Sequence, residues 1–234
     1  MTGYGDFYVY MGIAFVLSLI GGTISSRLKS KFQKYSRQSL GSRMSGSEIA
    51  RAMLDDYGIR DVQIVKGSGF LTDHYNPLNK TVSLSPPVFE GRNIAAAAVA
   101  AHECGHAVQH AKAYPLLQMR SALVPVVQIA SSAMQWILLL AFITLNSMPQ
   151  IMLLAIVAFG LTTLFSFVTL PVEFDASKRA LAWLDKAEMT TPSEHSAAQD
   201  ALKWAAMTYV AAALSSLVML AYLVLRYLGA SSDD

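Results

Sequence analysis

Four long apolar stretches, separated by polar segments, dominate the pattern of this chain. They cover residues 7–24, 122–145, 151–170 and 207–228; the first three contain no charged side chain, and the last contains only Arg226. An α-helix rises about 1.5 Å per residue, so roughly 20 apolar residues cross the hydrocarbon core of a bilayer. The pattern therefore predicts a mainly α protein with four transmembrane helices.

The two longer polar segments, residues 25–121 and 171–206, have the patterns of folded structure outside the membrane. In the first, Ser45 or Ser47 can cap a helix that stops at Gly58, and residues 61–65 alternate like a strand. Residues 71–85 then predict two strands joined by a turn. In the second segment, an amphipathic helix is followed by a capping box at residues 191–194. We expect a small α+β domain built mainly from residues 25–121.

Composition and charge support membrane insertion and indicate its direction. Hydrophobic residues make up 53% of the chain and charged residues 15%. Of the 18 Lys and Arg residues, 13 lie between Arg27 and Arg120, and only Arg226 lies near a predicted outer end. Basic residues stay on the cytoplasmic side of membrane proteins. The chain is therefore expected to be a multi-pass protein of the plasma or inner membrane, with both termini outside and both polar segments in the cytoplasm.

Composition alone indicates little about the binding partners of this chain. Membrane lipid is the expected environment and no nucleic-acid partner is expected, while the net charge of +2 by itself indicates nothing about partners. Small residues in the last apolar stretch suit close helix packing, either within the chain or with a partner such as a second copy or another membrane protein. The single cysteine, Cys104, excludes an intramolecular disulfide, and we interpret it as a packing residue.

Residues 94–111 carry the clearest chemical motif, within an alanine-rich helix that Asn93 can cap. His102 and His106 are four residues apart and should share one helix face, with Glu103 beside them. In zinc hydrolases such a His-Glu-x-x-His helix supplies two metal ligands and a carboxylate that removes a proton from the metal-activated water. We expect one Zn²⁺ per chain, with Glu103 as the general base. A rival interpretation makes residues 94–111 a fifth membrane helix, which would place Lys112 and Arg120 outside.

Zinc hydrolases need a third protein ligand, and the motif helix does not supply it. His110 is about 12 Å from His102 along a helix, too far to bind the same ion. Glu173 is the leading candidate because it follows the third apolar stretch on the predicted cytoplasmic side; its alternative role is an ion pair with Lys178 or Arg179. His74, Asp175 and His195 are the other ligand-type side chains considered.

Three sequence motifs and their order along the chain resemble those of the neutral zinc metallopeptidases of the YugP-like group. They are Leu-Thr-Asp-His-Tyr-Asn-Pro at residues 71–77, Ala-His-Glu-Cys-Gly-His-Ala-Val-Gln-His at 101–110, and Leu-Pro-Val-Glu-Phe-Asp-Ala-Ser at 170–177. The chain is more distantly similar to membrane gluzincins. That resemblance implies a zinc metallopeptidase with His102, His106 and Glu173 as ligands and Glu103 as base. Gluzincins of this kind carry an Asp where this chain has Ser177, so Asp175 and His110 are the residues expected to support the ligands.

The resemblance also implies a position for the substrate. The strand that ends at Ser85 is expected to be an edge strand over the site, to which an extended protein or peptide substrate could add. His74 and Tyr75 are then candidates to hydrogen-bond the oxyanion of the reaction intermediate. An alternative function is a catalytically inactive zinc-binding membrane scaffold that docks a partner. Retention of Glu103 favours the enzyme, because a structural zinc site needs no base.

Overall fold

The computed structural model describes residues 3–144 and 147–231 and is mainly helical. Its elements in chain order are α1 (Gly3–Ser36), α2 (Gly46–Asp56), β1 (Gln63–Lys66), β2 (His74–Asn76), β3 (Thr81–Leu84), α3 (Pro86–Phe89), α4 (Ile94–Ala111), α5 (Pro115–Ile143), α6 (Pro149–Lys186) and α7 (Pro192–Ser231).

Within the described part of the chain, α1, α5, α6 and α7 are long and apolar enough to cross a membrane. Helices α1, α6 and α7 each contain one predicted apolar stretch and extend beyond it. Helix α5 begins before the stretch 122–145 and ends at Ile143, and Leu145 lies outside the described residues. The predicted fold class, a mainly helical protein with four candidate membrane helices and a small sheet, is confirmed at this level. Helix α4 is not among the four candidates, and most of its residues are buried against other parts of the chain.

The chain divides into two compact units. The first comprises the described residues within Met1–Ile24, Met119–Leu170 and Thr208–Asp234. Its core packs around Phe142, Met152 and Leu223. An ion pair joins the first and last helices, because the partly exposed Arg226 guanidinium lies 2.5 Å from the buried Asp6 carboxylate. These contacts tie helices together that are distant in sequence.

The second unit comprises Ser25–Gln118 and Pro171–Met207, and it contains the sheet and α4. Its helix starts follow the local signals in the sequence. Ser45 caps α2 through a complete capping box with Glu48, and the Asn93 side chain accepts a hydrogen bond from the Ala96 backbone at the start of α4. Thr191 and Glu194 form the predicted box before α7, with the Thr191 N–H donating to Glu194 over 2.7 Å.

The sheet corrects one prediction. β3 pairs with β2 on one side, antiparallel, and with β1 on the other side, in parallel, so the strand order is β1-β3-β2. The strand that ends before Ser85 is therefore central, and it was wrong to expect it at the edge. The reason is the parallel pairing of β1, which occupies the side of β3 that the prediction had left open. β1 and β2 are the two edge strands, and β2 is the one that contacts α4.

Close packing of α4 against the Pro171–Lys186 part of α6 fixes the site. An added Cβ at Gly105 would lie 2.6 Å from the Ala176 carbonyl oxygen, so only glycine permits this separation of the two backbones. On another face of α4, the buried Cys104 thiol donates to the Ala50 carbonyl oxygen over 3.5 Å, which agrees with a packing role. The sequence Cys104-Gly105 thus packs α4 against α2 and α6 together.

Candidate metal centre

Three side chains that are distant in sequence meet between α4 and α6. The Glu173 carboxylate oxygen lies 3.2 Å from His102 Nε2 and 3.5 Å from His106 Nε2. The three ligand-type atoms all lie within 4.8 Å of one another, and they form the one group of this kind found among the described residues. Both histidines project from successive turns of α4, as the four-residue spacing requires.

The donor set and its spacing suit a zinc ion. Two ligand atoms that each lie about 2.1 Å from a tetrahedral zinc are about 3.4 Å apart, close to the two His–Glu distances observed. Two neutral imidazoles and one carboxylate are also the donors of a catalytic zinc site that keeps a fourth position open. His106 and Glu173 are buried and His102 is partly exposed, so the cluster is sheltered and still reachable from solvent.

Glu103 lies beside the cluster without belonging to it. Its side chain is buried, with 8% of the residue's surface exposed. Burial raises the pKa of the Glu103 carboxyl to about 7, while the neighbouring His102 acts in the opposite direction. Asp73 raises the pKa of this carboxyl and His74 lowers it, and β2, which begins at His74, contacts α4. A buried carboxyl whose pKa is raised to about 7 thus directly follows His102 of the candidate metal cluster.

Each histidine of the cluster uses its second ring nitrogen for a hydrogen bond to another side chain. His102 Nδ1 lies 3.1 Å from the Ser177 hydroxyl oxygen. His106 Nδ1 lies 3.0 Å from Gln109 Oε1. Metal-bound histidines usually have such a partner, which holds the ring in the required orientation.

Sequence reasoning missed the roles of Ser177 and Gln109. Ser177 stands where the gluzincin pattern has an Asp, and it was interpreted only as a departure, although a hydroxyl at that position still reaches His102. Gln109 is three residues after His106, so helix geometry alone could have placed the two side chains on one face. Asp175, predicted to support the ligands, contacts Gln109 and Arg179 instead of a histidine.

The remaining predicted residues lie elsewhere. The Tyr75 hydroxyl is 2.8 Å from His110 Nδ1, and both line a cavity of about 370 Å³ that also includes Asp61 and Lys80. His110 is thus paired with Tyr75 and is not joined to a cluster histidine. His74 is exposed on the edge strand, with Nδ1 2.9 Å from the Thr72 carbonyl oxygen. Since a carbonyl only accepts, Nδ1 carries the proton, and His74 can donate from Nε2 only as an imidazolium.

The structure also bears on the ion pair proposed as an alternative role for Glu173 and on the other candidates for the third ligand. Arg179, one of the two cations proposed as a partner of Glu173, pairs with Asp175 at 2.6 Å. His195 lies in the first turn of α7, where its backbone N–H donates to Thr191, and it is not a member of the metal-type cluster. Of the residues considered for the third position, the structure brings Glu173 to the two histidines.

Comparison with known proteins agrees with this geometry. Residues 8–228 match the model of a family described as "Putative neutral zinc metallopeptidase". The chain is 40% identical over 208 residues to a Bacillus subtilis (strain 168) protein named "Putative membrane protease YugP", a match that covers 89% of this chain and 92% of the relative. No solved structure matches the chain. Because the family model covers nearly the whole sequence, the chain belongs to this family of neutral zinc metallopeptidases.

Proposed function

We propose that this protein is a membrane-embedded zinc metalloendopeptidase that hydrolyses peptide bonds of protein substrates at the cytoplasmic face of the membrane. One observation carries the proposal: His102, His106 and Glu173 present three ligand atoms within 4.8 Å of one another, and Glu103 follows the first ligand directly. Membership of the family and the four apolar helices support the same assignment.

The chemistry follows from the donor set. A zinc ion held by His102, His106 and Glu173 would supply Lewis acidity and would lower the pKa of a water molecule towards about 7. Glu103 accepts a proton from the attacking water and returns it to the nitrogen of the leaving amine. His102, His106 and Glu173 hold the ion, while Ser177 and Gln109 orient the two imidazoles. His74, when protonated, is the candidate donor to the oxyanion of the intermediate.

The substrate is expected along β2 instead of along β3. β2 is a short edge strand with one unpaired side, and an extended peptide can add to such an edge through main-chain hydrogen bonds. His74 at its first position is close enough to act on the Glu103 carboxyl. A peptide on this edge would therefore pass beside the base, which is the arrangement that hydrolysis needs.

Removal of the metal tests the function directly. Purified protein treated with a chelator is expected to lose cleavage of an unstructured protein such as casein, and one equivalent of Zn²⁺ is expected to restore it, whereas Mg²⁺ is not. The reason is that nitrogen ligands suit zinc and not magnesium. Fragments are measured by mass spectrometry before and after zinc is added back. A protein that binds one zinc and cleaves nothing would instead support the inactive scaffold.

The cytoplasmic position of the site is tested by thiol labelling. Cys104 is replaced by alanine, and a single cysteine is introduced at Ser42, an exposed residue before α2, or at Ser147, in the turn between α5 and α6. In intact cells an impermeant maleimide is expected to label the cysteine at position 147 and not the one at 42, because basic residues keep their segment inside. Both should react after permeabilisation. The reverse pattern in intact cells would place the site outside.

A further inference from the structure

We propose that Gln109 is a positioning residue that fixes the proton of His106 on Nδ1 and so directs the lone pair of Nε2 to the metal. The proposal rests on the zinc site proposed above, and it adds a residue that the motif does not include. Gln109 has no exposed surface, and its amide makes three hydrogen bonds within the second unit. A glutamine buried so completely needs all of these partners, because an unpaired amide in the interior is costly.

The hydrogen-bond partners of Gln109 determine which end of its side-chain amide is the NH₂ group and which is the carbonyl oxygen. Nε2 lies 2.8 Å from the Val172 carbonyl oxygen and 2.8 Å from the Asp175 carboxylate. Both partners can only accept hydrogen bonds, so this end of the amide must be the NH₂ group. The other end is then the carbonyl oxygen, which lies 3.0 Å from His106 Nδ1. A carbonyl oxygen also only accepts, and therefore His106 Nδ1 must carry the proton.

Arg179 holds this arrangement in place from behind. Its Nε donates to the Asp175 carboxylate over 2.6 Å, and this fixes the carboxylate that receives the Gln109 amide. Arg179 and Gln109 both donate to Asp175, and His106 Nδ1 donates to Gln109 Oε1, so the donor of each hydrogen bond between Arg179 and His106 is fixed. Partners of this kind around metal-bound histidines are worth about 10–100-fold in metal affinity.

The two histidines of the cluster differ in whether the hydrogen-bond partner of Nδ1 fixes the position of the ring proton. His102 contacts the hydroxyl of Ser177, and a hydroxyl can donate or accept. Ser177 can therefore orient the ring of His102 without fixing the position of its proton. Gln109 leaves His106 no such choice. We accordingly expect the loss of Gln109 to weaken zinc binding more than the loss of Ser177.

The first experiment is a direct measurement on the wild-type protein. Full-length, metal-free protein labelled with ¹⁵N-histidine is examined by NMR near pH 8, and the signals of His106 are assigned by their loss in His106→Ala. The expected result is a proton on Nδ1 of His106, because the Gln109 carbonyl oxygen accepts it there. In Gln109→Met, which keeps the size of the side chain and removes its hydrogen bonds, the proton is expected on Nδ1 in only part of the molecules. A wild-type His106 with its proton on Nε2 would overturn the proposal.

The second experiment measures the zinc dissociation constant by competition with a chelator. Gln109→Met is expected to weaken binding by about 10–100-fold, and Asp175→Asn by a smaller factor. Because Asp175 acts through Gln109, the double variant should bind zinc no more weakly than Gln109→Met alone. Cys104→Ala, which alters buried packing on another face of α4, is the control and should retain the wild-type constant.

These measurements distinguish a failure of the proposed role of Gln109 from a failure of the proposed zinc site. If His106→Ala keeps wild-type zinc affinity, the proposed metal site fails. If His106→Ala loses zinc while Gln109→Met stays within twofold of wild type, only the role of Gln109 fails. Equal weakening by Gln109→Met and Cys104→Ala would show that general loosening of α4 is responsible, and it would overturn the proposal as well.

Discussion

Replacing Glu103 with glutamine is expected to leave zinc bound and to reduce peptide hydrolysis by about 100-fold or more. The amide has nearly the shape of the carboxylate, so it can occupy the same buried position beside the cluster. It cannot accept a proton from the attacking water. The three ligand-type side chains are unchanged by the substitution, and thus metal content should not fall.

The test compares purified wild-type and Glu103→Gln proteins for zinc content and for kcat/KM on the same substrate. Glu90→Gln is the matched control, because Glu90 is an exposed carboxylate paired with Lys66 and takes no part in the cluster. It should retain both zinc and activity. Undiminished hydrolysis by Glu103→Gln would refute the assignment of Glu103 as the base, whatever its zinc content.

Much of the fold could be predicted because its signals are local. A continuous apolar stretch is sufficient to indicate a candidate membrane helix, and the described chain has four helices long and apolar enough to cross a membrane. Asn93, Ser45 and Thr191 cap helices because their side chains satisfy backbone groups within three residues along the chain. Such contacts depend on neighbours that the sequence itself displays.

The order of the strands could not be predicted in the same way. Alternation of polar and apolar residues identifies a strand, but it does not say which other strand lies beside it. β1 and β3 are direct neighbours in the sheet and pair in parallel, although β2 lies between them in the sequence. Nothing in either segment specifies that pairing. The consequence for function is direct, because the free edges are β1 and β2 instead of β3, and the contact of β2 with α4 makes β2 the proposed substrate position.

The same distinction between local signals and contacts of distant segments applies to the residues of the candidate site. His102, Glu103 and His106 lie within five consecutive residues of one helix, so their spacing and the apolar composition around them were enough to propose them. Glu173 could be proposed from its place on a second segment, but its approach to His102, 71 residues earlier, is a tertiary contact. Gln109 was overlooked because its role depends on Val172 and Asp175, which only the packing of α6 on α4 brings within 2.8 Å.

The last prediction concerns Glu173, whose replacement by alanine is expected to empty the metal site. Alanine has no ligand atom, and two imidazoles alone would have to hold the ion. The loss of zinc affinity should exceed the roughly 10–100-fold that outer partners of metal ligands contribute. Asp175→Ala should weaken binding less, since Asp175 reaches His106 only through Gln109. His74→Ala should have no effect, because His74 lies outside the cluster.

Zinc content of the three purified variants after mild chelation decides between them. Circular dichroism is recorded in parallel, so that a site lost through unfolding is distinguished from one lost through a missing ligand. Glu173→Gln provides a second, nearly isosteric variant, in which the neutral amide is a poor zinc ligand and the packing against α4 is preserved. If Glu173→Ala and Glu173→Gln both keep one zinc per chain while His74→Ala or Asp175→Ala loses it, the third ligand is the residue whose removal empties the site, and not Glu173.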